Sequence, residues 1–165
     1  MRKLILLSAI PGSGKSTWAK KYAHEHPNTF IIASDEVRIE IAGQAQNFDH
    51  EEEVWRVFLE RINEYADRYE DCNVIADATN LQNRFRAFYA KETPKFDKHV
   101  LVVFHIPLDV CLKQNLIRPA DRIVPEDAMR SMAKEFEEPN EEVYELYDEI
   151  VFVEKFSHVK PSDME

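Results

Sequence analysis

The chain has 165 residues, and 44% of them are apolar. This length and composition predict one domain that spans residues 1–165 and has a single continuous core. Aromatic residues spread along the sequence exclude a disordered chain, and no segment is long and apolar enough to predict a membrane span. The net charge of −10 counts against a nucleic-acid partner, but residues 132–165 carry −8 of it, and the first 21 residues hold five basic and no acidic side chains.

Short apolar runs alternate with segments of helical periodicity along the chain. The runs are rich in branched residues and predict strands at residues 4–9, 30–33, 74–76, 100–106 and 150–153. Apolar residues at helical spacing predict helices at residues 18–24, 54–69, 85–91, 110–117 and 128–136. Strands this apolar have no solvated face, so the pattern predicts an α/β fold in three layers, with helices covering both sides of a mostly parallel five-stranded sheet.

Three segments lack this order. Residues 43–50 have no periodicity, and Pro119 interrupts a helical run within residues 118–125. Residues 157–165 have the composition of a flexible tail. The cysteines Cys72 and Cys111 lie far apart in no paired motif, which indicates neither a disulfide framework nor a zinc site and favours the cytoplasm.

The most specific motif follows the first predicted strand. Residues 9–17 read Ala-Ile-Pro-Gly-Ser-Gly-Lys-Ser-Thr and match the Walker A pattern except for alanine at the leading glycine. Glycines here let successive N–H groups face a polyphosphate, lysine reaches the β- and γ-phosphates, and the following hydroxyl ligates Mg²⁺. We therefore predict a site for ATP and Mg²⁺, with Ser16 as the metal ligand, formed by Pro11, Gly12, Ser13, Gly14, Lys15, Ser16 and Thr17.

A first acceptor-side group follows the second predicted strand. Ligands of open α/β sheets bind beyond the carboxyl ends of the strands, where Ser34, Asp35 and Arg38 stand. If a helix begins near Ser34, Asp35 and Arg38 share one face, as a general base and an anion-binding side chain would. The alternative is an ordinary helix N-terminus with a surface arginine.

A second group follows the third predicted strand. Asp77 is placed to orient Mg²⁺ through water, and Thr79 or Asn80 to hydrogen-bond the acceptor. The alternative makes Asp77 and Asn80 turn and cap residues before the next helix.

Two arginines mark a predicted lid over residues 118–138. Arg118 and Arg122 flank the Pro119 break, and lid arginines stabilise charge on a transferred phosphoryl group. Solvated surface arginines are the alternative. The acidic runs 51–53 and 137–142 are interpreted as solvated helix faces.

Together these motifs resemble the 5′-kinase domain of phage polynucleotide kinase and its relatives among the small P-loop kinases, including AAA_33-like and zeta-toxin-related proteins. The resemblance rests on the loop with its Trp18-Ala19 continuation, on residues 35–38 and 77–81, and on residues 118–132. It implies an adenylate-kinase-like P-loop fold with a small helical lid. Ala78 separates Asp77 from Thr79, unlike the phage enzyme, which leaves the role of Asp77 open.

The resemblance also implies roles for individual residues. Lys15 and Ser16 would hold ATP and Mg²⁺, Asp35 would be the general base, and Arg38 would contact the phosphate 3′ to the acceptor hydroxyl. Arg118 would bind the donor phosphates as the lid arginine, with Arg122 assisting. The acceptor it implies is the single-stranded 5′-OH end of DNA or RNA.

Two other functions stay open. The acidity favours a kinase of a small-molecule hydroxyl, such as that of a nucleoside, a nucleotide sugar or an antibiotic, or of a modified DNA base. A non-catalytic ATP-binding regulator is the other, and it leaves Asp35 unexplained.

Overall fold

A parallel sheet forms the centre of the molecule. The structure is a computed structural model, and it describes residues 1–156. Within that part of the chain the strands are β1 (Arg2–Ser8), β2 (Thr29–Ala33), β3 (Cys72–Asp77), β4 (Lys98–Phe104) and β5 (Glu149–Val153). Their order is β2-β3-β1-β4-β5, and each neighbouring pair runs parallel. Each strand overlaps a run predicted from the sequence, so the predicted sheet is confirmed.

Helices connect each strand to the next one along the chain. In the described residues they are α1 (Lys15–Glu25), α2 (Ser34–Ala42), α3 (Glu51–Arg68), α4 (Asn83–Lys91), α5 (Leu108–Leu116), α6 (Glu126–Glu135) and α7 (Glu141–Leu146). Periodicity predicted α1, α3, α4, α5 and α6 but not α7, whose first two residues alone fall in the acidic run 137–142 interpreted as a solvated face. It forms because the Asn140 side chain accepts a hydrogen bond from the Val143 N–H, and Val143 is fully buried.

Alternate side chains of the sheet point into two separate apolar layers, so the sheet divides the single continuous core expected from the composition. Leu4 and Leu6 of β1 pack with α2, α3, α4 and α7, while Ile5 and Leu7 pack with α1, α5 and α6. β3 and β4 alternate in the same way, so every central strand is buried on both faces. The predicted three-layer α/β fold is therefore confirmed.

The order of the strands brings the predicted motifs together. β3 lies between β1 and β2, with Leu6 paired to Ala76 and Ala33 paired to Asp77. The segments that follow these three strands therefore leave the same edge of the sheet side by side. These segments carry the glycine-rich loop, the start of α2 and the Asp77 turn.

A fully buried arginine supports this edge of the sheet. Arg86 of α4 donates to the Ser8 hydroxyl, to the carbonyl oxygens of Asn80 and Glu137, and to the Asn83 side chain. Burial lowers the pKa of its guanidinium, which the nearby carboxylate of Glu137 opposes. Arg86 thereby joins the ends of β1 and β3 to the segment that follows α6.

The predicted lid, residues 118–138, contains a 3₁₀ turn at Ala120–Arg122 and the whole of α6, whose Met129 is fully buried. The predicted tail, residues 157–165, lies outside the described residues. From residue 1 to residue 156, no helix has both the length and the apolar character needed to cross a bilayer.

Candidate active site

Two glycines, Gly12 and Gly14, shape the loop between β1 and α1, and Gly12 packs closely against the backbone of α5. Gly12 and Gly14 have φ angles of +80° and +88°, a left-handed conformation that glycine adopts without steric cost. A Cβ on Gly12 would lie 2.2 Å from the Cys111 carbonyl oxygen, so a side chain does not fit there. Gly14 is the N-cap of α1, where N–H groups without intrahelical partners and the helix dipole favour an anion.

The lysine and the hydroxyl of the loop converge on the acid that ends β3. Ser16 donates a hydrogen bond of 2.8 Å to one Asp77 oxygen, and the Lys15 ammonium lies 3.6 Å from the other. Lys15 and Asp77 are both nearly buried, with side chains 11% and 6% exposed. A cation and a carboxylate beside a hydroxyl are the groups that would hold a phosphate chain and its magnesium ion.

Two buried polar atoms at this site have no hydrogen-bond partner among the described residues. They are the Ser13 hydroxyl and Nη1 of Arg118. Buried polar atoms without partners are rare in folded proteins, and these two belong to the glycine-rich loop and to the predicted lid. Donors without partners beside a glycine-rich loop fit an anionic ligand.

Asp35 lies between two arginines. One of its oxygens accepts a hydrogen bond of 3.0 Å from Arg38, three residues later in α2, and the other is 3.5 Å from Arg118 of the predicted lid. Burial lowers the pKa of the Arg118 guanidinium, and the charge of Asp35 opposes that shift. Asp35 keeps 30% of its side chain exposed, so its carboxylate stays accessible to a ligand.

A cleft of about 750 Å³ is lined by the charged and polar side chains just described, namely Lys15, Ser16, Asp35, Arg38, Asp77 and Arg118. Its walls come from the glycine-rich loop, the start of α2, the Asp77 turn, the start of α3 and the predicted lid, including Ala128 and Met132 of α6. A smaller cavity of about 210 Å³ lies against the same loop and is lined by Gly12, Gly14, Lys15, Ser16, Thr17, Gln114, Ile117, Arg118 and Phe156. Lys15, Ser16 and Arg118 line both cavities and therefore lie where the two meet.

Most of the predicted site residues share this cleft. Those that line it are Pro11, Lys15, Ser16, Asp35, Arg38, Asp77, Thr79, Arg118 and Arg122. Arg122 forms a close ion pair with Glu36 of α2, and this hydrogen bond raises the pKa of its guanidinium. The roles assigned to these residues stay predictions, but the structure brings the side chains together.

Asn80 departs from the prediction. It has a positive φ of 43°, and its side chain donates to the Leu7 carbonyl oxygen at 2.9 Å. Its own carbonyl oxygen accepts a hydrogen bond of 2.8 Å from Ser8. The residue is buried in the support of the turn, as in the alternative reading of this group, so its side chain does not face an acceptor.

Sequence reasoning missed the residues that close the acceptor side of the cleft. Glu51 accepts two hydrogen bonds from Arg38, and Phe48 and Trp55 pack against the same guanidinium. The interpretation of Glu51 as part of a solvated face is therefore wrong. A local signal existed for Phe48 alone, because an aromatic residue in a polar segment without periodicity is unusual for a solvated loop.

Comparison with known proteins places this fold in a family. The family model described as "AAA domain" (AAA_33) matches residues 4–139, most of the chain. The chain belongs to the AAA_33 family. This confirms the resemblance to the small P-loop kinases at the level of the family. The glycine-rich loop described above lies within the matched residues.

Known relatives of this AAA_33 chain include kinases. An L-seryl-tRNA(Sec) kinase of Methanococcus maripaludis is 26% identical over 144 residues, which cover 82% of this chain and 53% of the relative. The chain thus spans about half the length of that curated relative.

Solved structures share the fold. The Pnkp1/Rnl/Hen1 RNA repair complex contains a chain with a TM-score of 0.71 and 21% identity, over 89% of this chain and 46% of that one. Kti12 of Chaetomium thermophilum, in complex with ADP-AlF3, has a TM-score of 0.69 and 14% identity, over 98% of this AAA_33 chain and 93% of Kti12. At these identities the likeness shows the P-loop fold alone.

Proposed function

We propose that this chain is a kinase that uses ATP and Mg²⁺ to phosphorylate the 5′-hydroxyl end of DNA or RNA. The observation that carries the proposal is the position of Asp35, which lines the same cleft as Lys15 and Ser16 and has an arginine beside each oxygen. A carboxylate oriented in this way, near a phosphate-binding loop, is suited to accept a proton from an attacking hydroxyl.

The donor side of the cleft fits ATP. The glycine-rich loop and Lys15 would hold the phosphates, and Nη1 of Arg118, a residue that lines both cavities, would find a partner in a phosphate oxygen. Ser16, with Asp77 beside it, would hold Mg²⁺, which neutralises charge on the transferred phosphoryl group when it is bound.

The Gly12→Ala variant should lose at least about tenfold in affinity for ATP. The added Cβ meets backbone atoms of α5, so the loop itself must move, and the positive φ costs a further 1–2 kcal/mol, roughly. The matched control is Gly43→Ala, because Gly43 has a φ of +86° but nothing within 4 Å of a Cβ. Calorimetric titration with ATP compares the two variants, and equal losses of affinity in both would contradict the steric argument.

On the acceptor side, Asp35 would act as general base. It takes the proton of the hydroxyl while the hydroxyl oxygen bonds to the γ-phosphorus, and the bond from that phosphorus to the β–γ bridging oxygen breaks to release ADP. Lys15 and Arg118 line both cavities, where they can stabilise the negative charge that develops. Catalysis then depends on positioning and electrostatics rather than on a covalent intermediate.

Arg38 and the relatives support a nucleic-acid acceptor. Arg38 lines the cleft next to Asp35, and an arginine in this place can bind a phosphate adjacent to the reacting hydroxyl. The curated relative acts on L-seryl-tRNA, a substrate that contains RNA. Incubation with γ-labelled ATP, Mg²⁺ and a 5′-OH oligonucleotide should label the 5′ end, and binding should weaken steeply with salt. An unlabelled oligonucleotide would contradict this acceptor.

A small-molecule acceptor is the second candidate, and one contact favours it. Glu51 occupies two nitrogens of Arg38, in a chain that is already acidic overall, which weakens the attraction for a polynucleotide. Labelled phosphate should then appear on a nucleoside, a nucleotide sugar or an antibiotic in place of the oligonucleotide. Binding of an uncharged acceptor should change little with salt, which separates the two candidates.

A further inference from the structure

Carboxylates and aromatic rings surround the guanidinium of Arg38. Its Nε and Nη2 donate to Glu51 at 2.9 and 2.7 Å, and its Nη1 donates to Asp35 at 3.0 Å. The guanidinium carbon lies 4.8 Å from the ring centre of Phe48 and 5.8 Å from that of Trp55. Three of the five N–H donors are thus committed, and the residue is 5% exposed.

These contacts set the charge that an acceptor meets. Asp35 and Glu51 contribute two negative charges, and Arg38 and Arg118 contribute two positive charges, so the group is neutral. The edge formed by Nε and one terminal nitrogen can hold a phosphate through two parallel hydrogen bonds. Glu51 already holds that edge of Arg38.

We propose that Glu51 determines acceptor specificity by competing with acceptor phosphate for Arg38. The inference deepens the proposed function and rests on it. An acceptor with a phosphate beside its reacting hydroxyl must displace Glu51 or bind next to its charge, whereas an acceptor with an uncharged neighbouring group meets a neutral surface. Glu51 therefore weakens, without excluding, the binding of an acceptor that carries a phosphate at this position, as the end of a polynucleotide does.

The Glu51→Gln variant tests the competition directly. Glutamine keeps the shape of the side chain and an oxygen that accepts from Arg38, but it removes the charge. With the donor side saturated by ADP, calorimetry should show adenosine 3′-monophosphate binding at least about tenfold more tightly to the variant, a gain of about 1.4 kcal/mol. The affinity for adenosine should change by less than about twofold.

Glu52→Gln is the matched control. Glu52 lies in the same first turn of α3 and is exposed, and its replacement removes the same charge from the same helix end without touching Arg38. The control should leave both affinities within about twofold. Equal gains in the two variants would overturn the proposal, because a general charge effect would explain them. Weaker or unchanged phosphate binding in Glu51→Gln would also overturn it and would make Glu51 a support for Arg38.

Turnover gives a second readout that separates this inference from the kinase proposal. The ratio of KM for a 3′-phosphorylated acceptor to KM for a 3′-hydroxyl acceptor should fall at least about fivefold in Glu51→Gln, which a purely structural role would not produce. The calorimetric measurement needs no turnover. If neither acceptor is phosphorylated while the calorimetric gain is present, the kinase proposal fails and the competition at Arg38 stands.

Discussion

Replacing Asp35 with asparagine should lower the rate of phosphoryl transfer by about 10²- to 10⁴-fold and leave ATP binding within about threefold of the original chain. The amide has the size of the carboxylate and can still accept a hydrogen bond from Arg38, but it cannot take up a proton from the acceptor. Steady-state transfer from γ-labelled ATP measures the first quantity, and calorimetric titration with ATP measures the second.

Asp49→Asn is the control for this change. Asp49 is an exposed acid just before α3 and follows Phe48 of the cleft, and within residues 1–156 its one hydrogen bond is from its backbone N–H to the Asn47 side chain. Its replacement removes one negative charge near the cleft and should alter turnover by less than about twofold. If Asp35→Asn retains more than a third of the original turnover, the carboxylate serves only as an ion-pair partner and the general-base role is wrong.

The sequence determines the position of Asp35 through local rules. An apolar strand followed at once by Ser34 and two acidic residues predicts a helix start, and the spacing of three residues between Asp35 and Arg38 predicts one shared face. The structure shows both features, with α2 beginning at Ser34 and a contact of 3.0 Å between the two side chains. Features that depend on neighbours in the chain could therefore be predicted.

The position of Glu51 could not be predicted in this way. Three consecutive glutamates begin α3, and local preference for acids at a helix N-terminus is the same for all of them. Only the packing of α3 on α2 decides which carboxylate reaches Arg38. That packing depends on contacts between residues distant in sequence, which a periodic pattern does not specify.

Asn80 shows a different limit of sequence reasoning. Asparagine after a strand is compatible with a ligand-binding residue and with a turn residue, because it tolerates positive φ and also offers both a donor and an acceptor. The fully buried Arg86 six residues later decides between the two, since it binds the Asn80 carbonyl oxygen and fixes the turn. A buried arginine has no periodic signal, because charged residues in helices are usually exposed.

The Lys15→Met variant should lower phosphoryl transfer at least about 10²-fold. Methionine keeps an unbranched chain of similar length but removes the cation that would contact the donor phosphates. The matched control is Lys20→Met, an exposed lysine on the same helix, which should keep turnover within about twofold. Transfer from γ-labelled ATP at saturating acceptor measures the effect, and a loss smaller than tenfold would contradict the role of Lys15.

A loss of stability could imitate this result, because Lys15→Met leaves the nearly buried Asp77 carboxylate without its cation. We expect that to cost about 1–3 kcal/mol. Adding Asp77→Asn removes the unpaired charge and keeps an oxygen that accepts from Ser16. Thermal unfolding of the double variant should therefore return towards that of the original chain, while its transfer stays at least about 10²-fold below that of Asp77→Asn alone, the reference needed because Asp77 lies beside Ser16 at the proposed Mg²⁺ site. Recovery of transfer together with stability would show that Lys15 acts through the fold and not on the phosphates.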